Sequence, residues 1–264
     1  MNTFTDIHCH IVPGIDDGAA DPATAIAMAR QAVADGTTTV IATPHQLGGN
    51  RQVTAAAIRG GVAALTSELA AAGIPLTVLP GADVRIEPEL PKLLKSGDVV
   101  TLADHGRHVL LELPHDVYIP LEPLLKALQK QGLTGILSHP ERNRGLMATP
   151  QIIEGLVGCG CLMQITAGSL LGTFGSTARR IAEGCVQKRL VHFVASDAHD
   201  TCHRPFGLSD AFDAVCALAD EPFAVAVCRE NPIRIAAGEP LVAHPAARPR
   251  FAAFRGRAAA SSGR

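Results

Sequence analysis

Short apolar runs alternate along this chain with longer stretches in which apolar residues recur every three or four positions. The runs mark buried strands and the stretches amphipathic helices. A first strand covers Thr3 to His8. Asp21 and Pro22 then supply an N-cap and a first helical position, Ile26, Ala29 and Val33 one inward face, and Gly36 a stop. Thr37 to Ala42 is a β-branched strand, and the glycine-containing stretch Gln46 to Gln52 a loop, mobile by composition. A helix over Val53 to Ala72 carries Ile58, Val62, Leu65 and Leu69 on one face. Leu76 to Pro80 reads as strand, Pro88 to Leu94 as a short helix, and Val99 to Leu102 and His108 to Leu113 as strands. Helices over Leu121 to Gln131, Pro150 to Val157 and Thr177 to Lys188 alternate with strands over Thr134 to Ser138, Cys161 to Ile165 and Val191 to Ala195. Pro205 to Ala219 and Pro222 to Arg229 end the series as helices.

The β-then-α unit recurs about seven times with strands apolar along their length, which predicts parallel strands enclosed by helices. The strand ends then carry chemistry. The first runs out through Asp6-Ile7-His8-Cys9-His10, and i, i+2 parity puts His8 and His10 on one face, with Cys9 turned to the other as a small core residue. Asp16-Asp17-Gly18 follows. Later strands end at His45, Asp83, Glu112, His139, and Asp197 with His199. Functional groups at many strand C-termini fit a closed or nearly closed barrel; a doubly wound sheet gathers them from two or three strands.

His8, His10, Asp17, His45, Asp83, Glu112, His139, Asp197 and His199 are too many ligands for one ion. A mixed nitrogen and oxygen set with no obligatory thiolate suits Mn²⁺, Fe²⁺ or Zn²⁺, with Mg²⁺ also open. Two or three ions can lower the pKa of a water, hold a phosphoryl or carbonyl oxygen, and take up charge on a leaving oxygen. Arg142 and Arg204 follow His139 and His199, and a guanidinium matches phosphate oxygens in a two-pronged fashion. With Asp197 they form the candidate catalytic set. His115 and His203 lie just after ligand positions, as solvated loop residues or as proton donors. His105, His108, His192 and His244 read as structural or solvated.

Composition narrows the class. The chain has 264 residues, a net charge of −2, no Trp and one Tyr, so neither charge nor base-stacking surface points to nucleic acid. Seven cysteines without a Cys-x-x-Cys pair fit reduced thiols in a cytoplasmic protein. No secretory leader pattern opens the chain and no apolar run nears the ~18 residues of a membrane span. Residues 1–242 read as one domain. Residues 243–264, with Arg248, Arg250, Arg255, Arg257 and Arg264, read as a basic solvated tail, or as an electrostatic contact with anionic lipid or an acidic partner.

The segments DIHCHIVPGIDDGA, TPH, GAD, LLELP, SHPERN, QITAGSLLGTFG and FVASDAH occur in order from residue 6 to about 210. Together they resemble the PHP (polymerase and histidinol phosphatase) superfamily, and within it the CpsB/YwqE branch of manganese-dependent protein-tyrosine phosphatases of capsule and exopolysaccharide systems. The resemblance implies a distorted (β/α)₇ TIM-like barrel, the PHP fold, with its metal site at the C-terminal ends of the strands. It also implies His8, His10, Asp83 and Asp197 on a first manganese ion, Asp83, Glu112 and His139 on a second, and Asp17, His45 and His199 on a third, with Arg142 and Arg204 on the phosphate. The implied substrate is the phosphotyrosine tail of a membrane-associated bacterial tyrosine autokinase, which would place the protein at the inner face of the membrane. One departure stands out: Asp83 occupies a position where that branch usually has Glu, one methylene longer, which leaves ion number and preference open. A small-molecule phosphoesterase such as a histidinol-phosphate phosphatase fits the same ligands. A non-catalytic docking module of the export machinery needs no such array. An amidohydrolase lacks its bridging lysine here.

Overall fold

The structure, a computed structural model, describes residues 3–241; the Arg-rich stretch 243–264 lies outside the described residues. Strand β1 (Phe4–Cys9) is buried throughout. Helix α1 (Pro22–Ala34) is capped by Asp21, whose carboxylate accepts from Thr24 N–H at 2.7 Å. β2 (Thr37–Ala42) and β3 (His45–Gln46) precede α2 (Ala55–Ala71), capped by Thr54. β4 (Thr77–Pro80), β5 (Asp83–Arg85), α3 (Leu90–Ser96), β6 (His108–Glu112), α4 (Glu122–Lys130) and β7 (Thr134–Ser138) follow. Then come α5 (Arg144–Ala148), α6 (Gln151–Gly158), β8 (Leu162–Thr166), α7 (Ala167–Leu171), α8 (Gly175–Gln187) and β9 (Phe193–Ala195). α9 (Leu208–Leu218), α10 (Glu221–Val225), a π-helical turn (Ala226–Glu230) and α11 (Asn231–Ala236) end the described chain.

Every strand pairing is parallel. The strands form a three-stranded sheet, β1-β2-β4, and a six-stranded sheet, β3-β5-β6-β7-β8-β9. The two sheets share chain. β2 runs into β3 across Thr43-Pro44, and β4 into β5 across Gly81-Ala82. Pro44 has no N–H for the ladder, and a Cβ at Gly81 would stand 2.7 Å from Ile41 Cγ2, so both strands break at one level. Asp83 N–H still reaches Pro44 O at 3.2 Å across the gap. On the other side, His10 N–H donates to Ala198 O and Asp197 N–H to His8 O, both at 2.8 Å, tying β1 to the end of β9. Counted as continuous stretches, seven strands go round a ring whose ladder is interrupted at both seams. That is the distorted (β/α)₇ arrangement the sequence led us to expect.

The core confirms the circuit. One hydrophobic cluster takes Ile7 from β1, Ile41 from β2, Leu110 from β6, Ile136 from β7 and Phe193 from β9, with Leu79 of β4 and Leu162 of β8 packed against it. All seven strands thus feed one interior, each buried aliphatic contributing about 1.5–3 kcal/mol. Two further clusters join the outer strand faces to the helices. Cys9 is fully buried in one of them, as its parity predicts.

The elements differ from the pattern reading in a few places. Val99 to Leu102 is not a strand. Val100 N–H bonds the Gln46 side-chain carbonyl, the Gln46 amide bonds Asp98 O, and residues 102–104 form a 3-10 turn. Side-chain amide bonds there replace a ladder. The loop after β3 is tied down by Glu87, which accepts from Gly48 N–H at 2.8 Å and pairs with Arg51. Helices α5, α7 and α11 were not anticipated: at five or six residues they are too short for a helical period to register. Among the described residues no helix is long and apolar enough to cross a membrane.

Candidate metal centre

The nine sequence-predicted ligands all converge at the C-terminal ends of the strands, in four overlapping groups: His8, His10 and Asp197; His8, Asp83 and His139; His45, Asp83 and Glu112; and His10, Asp17, His45 and His199. Two ligand atoms ~2.1 Å from one tetrahedral ion stand ~3.4 Å apart. The first group fits closely. His8 Nε2 and His10 Nε2 are 3.2 Å apart, and Asp197 Oδ1 is 3.1 Å from one and 3.4 Å from the other. In the last group, His45 Nε2 and His199 Nε2 each lie 3.5 Å from Asp17 Oδ1. Asp83 Oδ2 lies 3.8 Å from His8 Nε2, 3.5 Å from His45 Nδ1 and 3.7 Å from His139 Nε2. Glu112 Oε2 is 3.7 Å from His45 Nδ1, so its nearest imidazole is His45.

A surrounding layer aims the imidazoles. Gln164 on β8 faces His8 Nδ1 with its carbonyl oxygen at 2.9 Å, so that nitrogen carries the proton and Nε2 presents a lone pair. Asp16 does the same for His10 at 2.7 Å, and the Asp197 backbone carbonyl for His199 at 3.0 Å. Asp16 also accepts from the backbone N–H groups of Gly18 and His45, fixing the loop after β1 to β3. Gly18 is there of necessity, because a Cβ would fall 2.1 Å from His10 O. Asp6 clamps the β1–β9 seam by accepting from His8 N–H and from both Ser196 N–H and Oγ–H. Asp197 and His139 both hold left-handed backbone, with φ of 54° and 32°, a conformation unfavourable for residues with a Cβ.

The electrostatics call for cations. Asp83 is fully buried, yet neither of its carboxylate oxygens has a hydrogen bond. An ionised carboxylate so placed is very costly unless positive charge sits beside it. Burial opposes its ionisation, but His8 and His139 more than compensate and hold its pKa below the ordinary range. Burial and the Asp83 charge push Glu112 up to about 8. Burial also works against a charge on His10, but its bonds to Asp16 and Asp197 outweigh this and raise it to about 10. Burial drops His139 and His199 to about 4. His199 Nε2 and His45 Nδ1 are buried without a hydrogen-bond partner. Buried carboxylate oxygens and imidazole nitrogens without a hydrogen-bond partner form a donor set that fits divalent cations.

A family profile described as capsular polysaccharide synthesis, CpsB/CapC, matches residues 4–237. The chain belongs to the CpsB/CapC family. It is 42% identical over 208 residues to tyrosine-protein phosphatase YwqE of Bacillus subtilis, covering 78% of this chain and 81% of YwqE. Putative tyrosine-protein phosphatase CapC of Staphylococcus aureus is 33% identical over 213 residues, covering 80% and 82%. A crystal structure from work on YwqE and on CpsB of Streptococcus pneumoniae, described as unique metal-dependent tyrosine phosphatases, superposes with a TM-score of 0.87 at 37% identity, covering 92% of this chain and 98% of that one.

In this CpsB/CapC chain the two sequence-predicted arginines meet at the centre. Arg142 Nη1 and Arg204 Nη2 both donate to Asp197 Oδ2, the latter at 2.6 Å, leaving Oδ1 to the imidazoles. Asp197 is held well below the usual carboxylate range: burial opposes this, and His8, His10 and Arg204 outweigh it. His115 and His203 are exposed and belong to none of the candidate groups. Arg144 pairs with Asp116 on the surface. Sequence reasoning missed Asp16, Gln164, Arg85 and Phe174. Arg85 Nη2 stands 3.1 Å from Glu112, and Phe174 lies under both arginines. Gln164 alone carried a readable signal, as a polar residue inside an apolar strand.

Proposed function

We propose that this chain is a metal-dependent phosphomonoester hydrolase that releases phosphate from phosphotyrosine. Its proposed substrate is the tail of a membrane-associated tyrosine autokinase of capsule or exopolysaccharide synthesis, met at the inner face of the membrane. The observation that carries the reading is Asp83: a buried carboxylate with no hydrogen bond, ringed by three imidazoles and shared by two ligand groups. His8, His10, Asp17, His45, Asp83, Glu112, His139, Asp197 and His199 would hold two or three ions, with Mn²⁺ the proposed metal and Fe²⁺, Zn²⁺ or Mg²⁺ admitted by the same donors. Bound ions supply Lewis-acid charge and lower the pKa of water enough for a nucleophile near neutral pH.

The protein's own groups do the rest. His45 faces ligands with both ring nitrogens, and a neutral imidazole has one lone pair to give. Use of Nε2 assigns His45 to Asp17 and His199, leaving Asp83 and Glu112 to join His139. Gln164 and Asp16 hold the imidazole tautomers of His8 and His10. Arg142 and Arg204 each give one nitrogen to Asp197 and keep their other N–H groups for the phosphoryl oxygens, where charge-assisted bonds are strongest. A tyrosinate leaving group, with a pKa of about 10, needs less help from a proton donor than an alkoxide. This favours an aryl over an alkyl phosphate.

The test is phosphate release with added Mn²⁺ from a phosphotyrosine peptide, a phosphoserine peptide and histidinol phosphate. Preference for phosphotyrosine, abolished by chelator and by His10→Ala, is the expected result. Preference for histidinol phosphate would replace this substrate with a small molecule. No release from any substrate by metal-loaded protein would refute the phosphatase reading.

A further inference from the structure

Phe174 belongs to none of the three hydrophobic clusters and is only partly buried. Its ring is used elsewhere. The Arg142 guanidinium carbon sits 4.0 Å from the ring centroid and that of Arg204 5.8 Å, both within the range of a cation–π contact.

The chain takes care to put the ring there. Helix α7 ends at Gly172 in left-handed backbone, φ 92°, and Thr173 N–H folds back to Gly168 O at 2.8 Å. Gly168 leaves space for the aromatic edge: a Cβ there would stand 3.0 Å from Phe174 Cε2. Glu141, the residue before Arg142, is fully buried and accepts from Thr166 N–H at 2.9 Å and Ser169 Oγ–H at 2.7 Å. That carboxylate ties the turn bearing Arg142 to the start of α7, and the turn that follows α7 carries Phe174. Arg204 Nε is buried with no hydrogen-bond partner, a donor left over for an incoming acceptor.

We propose that Phe174 is a positioning residue for the phosphoryl group: its ring holds the Arg142 and Arg204 guanidiniums side by side, so that both present N–H groups to one anion. The proposal rests on the reading of this centre as a phosphoryl site. Free arginine side chains have many rotamers, and the ring removes that freedom before the anion arrives. The ring has no donor atom and is not itself a ligand.

The experiment measures inorganic phosphate binding to metal-loaded protein by calorimetry for wild type, Phe174→Leu and Phe174→Tyr, beside metal content, melting temperature and phosphotyrosine turnover. Phe174→Leu should weaken phosphate binding roughly 3- to 30-fold, the span of one cation–π contact, with metal content and melting temperature unchanged. Phe174→Tyr should restore binding. Added to Arg142→Ala, Phe174→Leu should weaken binding much less than it does alone. Equal phosphate affinity in wild type and Phe174→Leu would overturn the proposal. So would a weakening that tracks lost metal or lost stability, a Tyr variant no better than Leu, or no phosphate binding by wild type. Phosphate binding that obeys these expectations without turnover by wild type would overturn the phosphatase reading alone.

Discussion

Asp83→Asn isolates the charge that the centre is built around. The substitution keeps shape and volume and removes one negative charge from a point 3.5 to 3.8 Å from three imidazole nitrogens. At an effective dielectric of ~20, a carboxylate and a cation of unit effective charge ~4 Å apart attract by about 4 kcal/mol, or about 10³-fold in a dissociation constant. Asp83 is shared between two ligand groups, so the loss should be felt at two ions. At a metal concentration 100 times the wild-type dissociation constant, binding adds about 2.7 kcal/mol to wild-type stability; an ion bound 10³-fold more weakly adds under ~0.1 kcal/mol. For a chain of this size that separates the melting shifts by about 5–10 °C. The assay is a thermal melt with and without Mn²⁺ after chelation, with metal content determined after dialysis. Each shift is read against the chelated melt of the same protein, because the Asp83 charge also interacts with His8 and His139 in the metal-free fold. A variant that keeps both its metal and its metal-induced shift would refute the account of Asp83 as the shared anion.

Other expectations follow from the same geometry. Gln164→Leu frees the His8 tautomer and should weaken metal binding about 10- to 100-fold while the chelated protein stays folded; circular dichroism beside metal titration checks both. Arg204→Ala should raise KM or lower kcat for phosphate esters with metal content intact, and an emptied centre would show a structural role instead. Metal loading should release protons at neutral pH, because His10 at about 10 and Glu112 at about 8 must give them up. Affinity should therefore rise with pH through this range, and calorimetry in buffers of different ionisation enthalpy counts the protons. Burial lowers His108 to about 4, so its neutral form favours the fold above pH ~6.5, and that contribution is lost as pH falls from ~6.5 toward ~4. His108→Leu should flatten the fall in stability over that window by up to about 3 kcal/mol, read from urea melts of the chelated protein.

Much of the architecture is legible before any coordinates. The strands are apolar runs that stop at a histidine or carboxylate, so fold and ligands are marked by the same boundary. Strand parity puts His8 and His10 on one face, and the ligands at the later strand ends make a metal pair of them. What escapes is set by local backbone detail. Asp16 and Asp17 are neighbours of one type, but the close approach of Gly18 to His10 O turns the first toward His10 Nδ1 and leaves the second facing His45 and His199. Val99 and Val100 look like a strand, yet the Gln46 amide satisfies their surroundings from outside any ladder. The partition of ligands depends on which nitrogen His45 offers, a tautomer that the order of residues does not encode. Nothing in the order of residues marks Phe174; its use shows only with the arginines on its face.

The seam between β1 and β9 also sets a clock. Asp6 meets Ser196 across 190 residues of chain, and His8 and His10 meet Asp197 at the same seam. A ribosome delivers the N-terminal histidines first and the aspartate late, at about 5–20 residues per second. For about 10–40 s at that rate the nascent chain displays His8 and His10 without their anion, and the first ligand group cannot close on an ion until the last strand has emerged. Completion of this group therefore depends on the end of the fold: a product truncated before β9 keeps His8 and His10 but lacks the carboxylate that closes the group.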